Sequence, residues 1–318
     1  MADVVALGEL LIDFMTNEVD EEGYPTLKAN AGGAPANFLS ALAKYGISTA
    51  LIGSVGDDAF GRMLIKTLNR QNIDTTAVKL VPEFFTTLAF VTLDENGNRE
   101  FSFARKPGAD LQLTLDDEAK KQIRLAKVFH FGTLSLTAEP ARCATMHAVE
   151  YAKGHGALIS CDPNLRKPLW KDEEEAKKWI DWALLQADIV KISDNEVDFL
   201  YGLNEVDGAK KLLEEYSAKL VFVTLGEKGC YAANKNGSVY VKGPEVNAKD
   251  TTAAGDIFGG AALSKVLNLK KMPDELDLDE LKHIAGFACA AASLSTEHIG
   301  AICSIRDMDT VLGHIARN

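Results

Sequence analysis

The chain has few cysteines, and their spacing gives them no common role. Its five cysteines are an odd number, and no C-x-x-C pair occurs. Neither a disulfide framework nor a structural zinc site is supported by this pattern. The first apolar run has no basic leader and contains acids, and no uncharged apolar stretch reaches about 18 residues. We therefore expect a cytoplasmic protein that is neither secreted nor embedded in a membrane.

An excess of positive charge is also absent. Acidic side chains number 46 against 34 basic ones, and the net charge is −12. Such a chain has no general attraction for nucleic acid or for an anionic membrane, so we expect neither as a partner. An anionic ligand must then be held by local groups. The rest of the composition, 47% hydrophobic and 25% charged over 318 residues, is typical of a globular enzyme with one large domain.

Two common phosphate-binding fingerprints are missing. Neither G-x-x-x-x-G-K-[ST] nor G-x-G-x-x-G occurs in the sequence. Their absence disfavours a P-loop NTPase, and it also disfavours a nucleotide-dependent oxidoreductase built on a Rossmann sheet.

What the sequence does contain is an alternation of short apolar runs with longer segments of helical period. The runs predict strands buried on both faces at 4–14, 50–55, 128–132, 157–162, 188–193 and 219–226. The intervening segments predict helices at 35–46, 58–70, 139–153, 173–186 and 206–217. This order indicates an α/β fold with a doubly wound, mostly parallel sheet flanked by helices.

Two stretches break the alternation. Residues 14–31 are polar and irregular, and residues 84–110 alternate apolar with polar positions around a predicted turn at Asn96-Gly97. Both predict strands of a small sheet beside the main one, which would serve as a lid and expel water from a crevice below. The segment 254–316 is expected to be mainly helical. We thus predict a single domain over 1–318 with a β-sheet lid.

The stretch DTTAAGDIFGGA, residues 250–261, places one carboxylate, Asp256, among small residues near a helix start. Small residues let a ligand approach the backbone, and the first N–H groups of a helix bind anions. A resting phosphate would repel the acid, so the arrangement makes most sense if Asp256 meets a proton donor. The alternative is that Asp256 only caps the helix.

Three other positions carry polar groups at predicted strand ends or helix starts. In NAGGAPANF, Gly32 and Gly33 allow close approach of a ligand and Asn37 can donate to and accept from a hydroxyl, although the motif also suits a plain strand-to-helix turn. Asp13 ends the first predicted strand at the edge where ligands of such sheets bind, or else caps a loop. Arg166, in CDPNLR, could hold a phosphoryl group or form a surface ion pair.

Together these motifs resemble the PfkB, or ribokinase-like, family of carbohydrate kinases, with DTTAAGD as the most specific element and glycine usual in place of Ala253. The resemblance covers essentially the whole chain and implies an ATP-dependent phosphotransferase. It implies that Asp256 is the general base, and that the amides of Ala253, Ala254, Gly255 and Asp256 hold the migrating phosphoryl group. The sugar-binding positions that it implies are Asp13, Gly32, Gly33, Asn37, Arg105 and Arg166.

The resemblance also implies sites for the nucleotide and for metal ions. The ATP-binding positions would be Lys191, Thr224, Gly226, Gly229 and Gly255. Glu196 would order the water around Mg²⁺. Potassium would bind a loop built from Asp250, Thr252, Ser295, His298, Gly300 and Ser304.

The lid sequence FARKPGADLQL resembles that of kinases acting on fructose, and GGAPAN and DPNLR agree with it. We expect phosphorylation of D-fructose at O6. Kinases of 2-keto-3-deoxygluconate remain the alternative, although they usually carry an aromatic residue where Ala104 stands. A different class, a non-catalytic sugar sensor, is disfavoured because a sensor needs no base. The expected partners are a small sugar and ATP, and the lid could form a homodimer.

Overall fold

The computed structural model describes residues 2–93 and 99–317. Its strands are β1 Val4–Leu7, β2 Leu11–Val19, β3 Pro25–Gly32, β4 Thr49–Gly56, β5 Ile73–Asp74, β6 Val78–Val81, β7 Leu88–Leu93, β8 Arg99–Ala104, β9 Val128–Gly132, β10 Leu158–Asp162, β11 Ile189–Ser193, β12 Leu220–Thr224, β13 Cys230–Asn234 and β14 Gly237–Val241. Its helices are α1 Ala34–Lys44, α2 Ala59–Arg70, α3 Asp117–Arg124, α4 Ala141–Gly154, α5 Glu173–Gln186, α6 Asp194–Tyr201, α7 Glu205–Glu214, α8 Ala254–Leu269, α9 Leu278–Thr296 and α10 Met308–Ile315.

The main sheet has the order β14-β13-β12-β11-β10-β9-β1-β4-β5, with β6 paired to β4. Of these, β12, β11, β10, β9, β1, β4 and β5 run parallel, whereas β13 pairs antiparallel with β12 and β14 antiparallel with β13. The chain winds from β1 toward β4 and β5, then returns to build β9 through β12 on the other side. The doubly wound, mostly parallel fold is confirmed, and the winding changes direction between β1 and β9, where ligands of such sheets bind.

Helices cover both faces of this sheet. On β1, Val4 and Ala6 pack into the layer formed with α1, α8 and α9. Val5 and Leu7 pack into the opposite layer, with α4, α5 and α7. Successive strand residues point to opposite faces, which is why the buried strands are apolar without alternation. Within the described residues, no helix has both the length and the apolar character needed to cross a bilayer.

The prediction of one strand over 4–14 is wrong. β1 ends at Leu7, and β2 begins at Leu11 in a different sheet. Gly8 has φ +152°, and a Cβ there would lie 2.7 Å from Cγ of Pro35, so only glycine fits this break. Asp13 consequently does not end the first strand. It lies within β2, opposite Asn30 of β3 and Ala89 of β7.

The second sheet has the order β3-β2-β7-β8 and contains the strands predicted within 14–31 and 84–110. Asp13, Ala89 and Phe103 lie in register across three of its strands, on one face. The turn predicted at Asn96-Gly97 lies outside the described residues. The role of this sheet as a lid stays a prediction.

Close packing of α1 on α8 joins the two helices that carry Asn37 and Asp256. A Cβ on Gly260 of α8 would stand 2.6 Å from the carbonyl oxygen of Phe38 and 2.8 Å from Cβ of Ala41. Such contacts are closer than packed atoms allow, so only glycine permits this separation of the helices.

We predict that Gly260→Ala lowers the free energy of unfolding by about 1–3 kcal/mol, because the added methyl group pushes α1 from α8. Urea unfolding measures the change. Gly154→Ala is the matched control, because a Cβ at this helical glycine meets nothing within 4 Å. It should keep or raise stability by up to about 1 kcal/mol. Equal effects of the two changes would contradict the close-packing argument.

Candidate active site

The first turn of α8 leaves backbone donors available. Ala253, the residue before the helix, has φ +61° and makes no side-chain cap. The Ala254 N–H donates to the Thr251 carbonyl at 3.3 Å, and the Ile257 N–H donates to the Ala253 carbonyl at 2.8 Å. Among the described residues, no backbone acceptor meets the N–H groups of Gly255 and Asp256. These donors at the positive end of a helix form a site for an anion.

The Asp256 carboxylate is held by two amides instead of by its own helix. Asn37 Nδ2 donates to Oδ2 at 2.8 Å, and Asn164 Nδ2 donates to Oδ1 at 3.0 Å. Asn164 has φ +47°, which the tight turn after β10 requires and asparagine tolerates. Each carboxylate oxygen therefore keeps a lone pair for a further donor. A simple N-terminal cap would instead accept from its own backbone, so the capping alternative is not what the structure shows.

Burial and neighbouring charge raise the pKa of Asp256 to about 6. Desolvation is the largest cause, and the charge of Asp162 acts in the same direction. The hydrogen bond from Asn37 and the charges of Lys191 and Arg166 oppose it. A carboxyl group tuned in this way is still ionised at neutral pH, yet it binds a proton more readily than an ordinary aspartate.

One cavity beside Asp256 is lined by acids and amides. Its wall consists of Glu9, Leu11, Asp13, Gly33, Ala34, Asn37, Phe103, Leu134, Asn164, Arg166, Thr251, Thr252, Ala253 and Asp256. We call it the acceptor cavity. The small sheet contributes Leu11, Asp13 and Phe103 to it, and the main domain contributes the rest.

Two more carboxyl groups in the acceptor cavity have raised pKa values. Desolvation raises the pKa of Asp13 to about 7, with Arg166 opposing the shift. Desolvation also raises the pKa of Glu9 to about 7, although its Oε1 accepts the Ala34 N–H at 3.0 Å. Groups of this kind exchange hydrogen bonds readily with hydroxyls, which suits a polyhydroxylated ligand.

The paired glycines before α1 have separate structural reasons. A Cβ on Gly32 would stand 1.9 Å from Oδ2 of Asp13, so glycine makes room for that carboxylate. Gly33 has φ +107°, and its Cβ would meet the Glu9 carbonyl oxygen at 2.4 Å. Gly33 lines the acceptor cavity and Gly32 supports it from behind.

A second cavity lies on the other side of the α8 start. It is lined by Thr224, Gly226, Gly229, Gly243, Ala254, Gly255, Phe258, Cys289, Ala292 and Ser293. Four of the predicted ATP-binding residues, Thr224, Gly226, Gly229 and Gly255, are among these. We call it the nucleotide cavity. At Gly229, φ is +105° and a Cβ would stand 2.0 Å from the Val241 carbonyl oxygen, so the turn there requires glycine.

Two predicted ligand contacts lie elsewhere. Lys191 is largely buried beneath the start of α8, where its Nζ lies 3.0 Å from Oδ2 of Asp162, and it does not line the nucleotide cavity. Arg105 is also buried. Its guanidinium donates to Asp110, to the Thr137 hydroxyl at 2.8 Å and to the Leu134 carbonyl at 3.0 Å. Direct contacts of Lys191 with ATP and of Arg105 with the sugar stay predictions.

The carboxylate of Glu196 closes a capping box at the start of α6. Its Oε2 accepts from the backbone and hydroxyl of Ser193 at 2.8 and 2.7 Å, and its Oε1 accepts from the Leu165 N–H at 2.7 Å. These bonds fix the carboxylate near the DPN turn. Among the described residues, no group of three His, Cys, Asp or Glu side chains forms a metal site. Contact of Glu196 with a hydrated Mg²⁺ stays a prediction.

Asp250 connects two segments of the loop predicted to hold potassium. Its carboxylate accepts from the N–H groups of Thr252 and Gly300, both at 2.8 Å. The hydroxyls of Ser295 and Ser304 donate to carbonyls of their own segments. His298 is exposed, and its Nε2 lies 3.1 Å from the Arg306 guanidinium. Its part in a potassium site stays a prediction.

Sequence reasoning missed several residues that the structure brings to the site. Glu9 and Asn164 each stand in a short turn and reach the site only through the fold. Phe103 had only the alternation of its strand as a signal. The Asp162–Lys191 pair joins two strands and has no sequence pattern at all.

The start of α8, with its available N–H donors, lies between the acceptor cavity, which is lined by acids, and the nucleotide cavity, which is lined by small residues. The fold and this arrangement define a phosphotransferase that acts on a small hydroxylated molecule. The chain belongs to the pfkB family of carbohydrate kinases, whose sequence pattern matches residues 1–308.

Relatives agree with this assignment. Fructokinase-2 of Solanum lycopersicum is 43% identical over 302 residues, covering 94% of this chain and 92% of that protein. The crystal structure of fructokinase with bound ATP from Xylella fastidiosa has a TM-score of 0.90 at 28% identity, covering 100% and 99% of the two chains. Fructokinase from Vibrio cholerae O395 in a fructose, ADP and calcium ion bound form has a TM-score of 0.84 at 29% identity, covering 98% of both chains.

We predict that Ala253→Gly raises the free energy of unfolding by up to about 1 kcal/mol, because alanine is strained at positive φ and glycine is not. Chemical denaturation measures the gain. Ala254→Gly, one residue later in the helix, is the matched control and should lose about 0.5–1 kcal/mol. Destabilisation by both changes to the same extent would contradict strain at residue 253.

We predict that Arg105→Ala destabilises the fold by about 3–5 kcal/mol, because Asp110 would be left buried without its counter-charge. The Michaelis constant for the sugar should rise more than that for ATP, since Arg105 supports Leu134 in the acceptor cavity wall. Thermal unfolding and steady-state kinetics measure both effects. Arg62→Ala, at an exposed ion pair with Asp57, should change stability by less than about 1 kcal/mol. A stable variant with an unchanged constant for the sugar would overturn this account.

Proposed function

We propose that this chain transfers the terminal phosphoryl group of ATP to O6 of D-fructose. The observation that carries the proposal is the position of the α8 start. Ala253 and Asp256 line the acceptor cavity, while Ala254 and Gly255 line the nucleotide cavity. A phosphoryl group leaving the nucleotide for the acceptor would therefore pass the available N–H donors of the first turn. The relatives named fructokinase support the choice of substrate.

In the proposed reaction Asp256 takes the proton of the attacking hydroxyl. Asn37 and Asn164 hold its two oxygens and leave lone pairs directed at the acceptor cavity. The backbone N–H groups of Gly255 and Asp256 stabilise negative charge on the migrating phosphoryl group. Phosphoryl transfer needs positioning and charge stabilisation more than covalent help, and this set of groups supplies both.

The proposed reaction uses a magnesium ion with the nucleotide. Glu196, fixed by Ser193 and Leu165, would contact it through water. When bound, the ion neutralises phosphate charge. Potassium at the Asp250 loop is a further proposal, supported by the way Asp250 ties Thr252 to Gly300.

The acceptor is proposed from the walls of its cavity. Asp13, Glu9 and Asn37 offer hydrogen bonds to hydroxyls, and Arg166 supplies the cation at this wall. The names of the relatives favour fructose over a keto acid such as 2-keto-3-deoxygluconate, the runner-up. Ala104 also leaves the aromatic position of those kinases unfilled.

Two further features belong to the proposal. All five cysteines are free thiols, which supports a reducing cytoplasm as the place of work. The exposed residues Val19, Tyr24 and Leu27 on the small sheet and its turn support pairing of two copies through the lid.

We predict ADP release with MgATP and D-fructose at a higher kcat/KM than with other sugars or with 2-keto-3-deoxygluconate. A coupled assay over a panel of sugars and sugar acids measures this. Binding of fructose without any ADP release would favour the sensor instead. Preference for the keto acid would replace fructose as the substrate.

We predict that Asp256→Asn lowers turnover by about 10² to 10⁴ while ATP affinity and stability stay near those of the unaltered chain, because the general base is removed. Steady-state kinetics and ATP titration measure the two quantities. Asp309→Asn, an exposed aspartate in the first turn of α10, is the control and should keep full activity. Near-normal turnover of Asp256→Asn would remove Asp256 from the reaction.

A further inference from the structure

A largely buried ion pair lies directly beneath the start of α8. Lys191 Nζ is 3.0 Å from Oδ2 of Asp162, and their side chains are 13% and 8% exposed. Asp162 ends β10 and Lys191 lies on the neighbouring β11, so the pair spans two strands at the carboxyl edge of the sheet. It has no role in the reaction as described above.

The lysine is placed against the helix in an electrostatically unfavourable way. A Cβ on Gly255 would stand 2.9 Å from Lys191 Nζ, so the ammonium group lies close to the backbone of the first turn. That turn is the positive end of the helix dipole, which repels a cation. The position of Lys191 is therefore favourable only when negative charge lies nearby. That charge can come from a bound anion or from an ionised carboxylate such as Asp256.

The same pair lines a narrow cavity together with Asp256. The cavity lies between the sheet and helices α1 and α8, and its polar lining comes from His130, Ser160, Asp162, Lys191 and Asp256. His130 is uncharged, because burial lowers its pKa to about 3, and its Nδ1 lies 3.0 Å from the Ser160 hydroxyl. Lys191 is therefore the cation of this lining.

We infer that Lys191, held in place by Asp162, is a positioning residue of the phosphoryl transfer that keeps Asp256 ionised and strengthens the anion site at the start of α8. This inference rests on the proposed role of Asp256 as the base. It gives Lys191 a different task from direct contact with ATP.

The charges around Asp256 predict opposite effects of the two partners. Lys191 and Arg166 lower the pKa of Asp256, and Asp162 raises it. Asp13 on β2 also faces Asp256, since each carboxylate disfavours the charge of the other. Loss of the lysine charge should raise the pKa of Asp256. Loss of the Asp162 charge should lower it, because Lys191 keeps the charges of Glu196 and Asp256 as partners.

The test follows the Asp256 carboxyl itself by ¹³C NMR in protein labelled at aspartate carboxyl carbons, assigned with Asp256→Asn. Lys191→Met should raise the titration midpoint by about one pH unit or more, and Asp162→Asn should lower it. The double variant, which removes both charges and leaves no unpaired ion, should return toward the unaltered midpoint. Lys219→Met is the matched control, since this lysine pairs with Asp188 at 2.9 Å at the opposite edge of the same sheet.

Kinetics provide the second readout. The acid limb of the kcat profile should move with the NMR midpoint, and Lys191→Met should lower the pH-independent kcat about tenfold or more. A general loss of stability would not move the midpoint in opposite directions in the two single variants. The titration is measurable without turnover, so failure of fructose phosphorylation would leave this test decisive.

Several results would overturn the inference. They are midpoints that match the unaltered chain in both single variants, and shifts of the same sign in both. If one single variant does not fold, the double variant and the other single variant still decide, because the inference requires their midpoints to differ. A rise in the Michaelis constant for ATP without any shift of the midpoint would return Lys191 to ATP binding.

Discussion

The site depends on a carboxylate that lies at the positive end of α8 but does not accept hydrogen bonds from the backbone of that helix. An aspartate in a first turn ordinarily caps its own helix or binds its own backbone. Here Asn37 and Asn164, from two other parts of the chain, hold Asp256 away from the N–H groups of its turn. Those N–H groups stay available for phosphate because Ala253 enters the helix at positive φ and offers no side-chain cap. One turn can therefore serve an anion and an acid at the same time.

Burying several carboxyl groups at this site lowers the stability of the fold, and interactions elsewhere offset the loss. Glu9, Asp13 and Asp256 are all buried near one cavity, and desolvation raises the pKa of each. Unpaired buried charge is expensive, so such groups persist only where packing and hydrogen bonds elsewhere supply the stability. The doubly wound sheet, apolar on both faces, is the source of that stability. A site with several buried carboxyl groups therefore needs a large, well-packed apolar core.

The sequence predicted the parts of the molecule that follow from local pattern. Strand β9 and helix α5, for example, lie where the spacing of apolar residues predicted a strand and a helix. The break at Gly8 was missed because residues 4–14 are apolar on both sides of it, and only contact with Pro35 reveals that glycine is needed. The task of Arg105 was equally hidden, since Asp110 lies nearby in sequence while Thr137 and Leu134 do not. Long-range contacts of this type leave no periodic signal.

The separation of the chain into two sheets also explains how acceptor binding and chemistry can be coupled. Asp13 and Phe103 reach the acceptor cavity from the small sheet, whereas Asn164 and Asp256 reach it from the main domain. In the proposed reaction, a sugar that contacted both sets would hold the two sheets together and expel water from the space between them. Water excluded in this way cannot take the phosphoryl group in place of the sugar, and electrostatic contacts within the cavity strengthen as the dielectric falls.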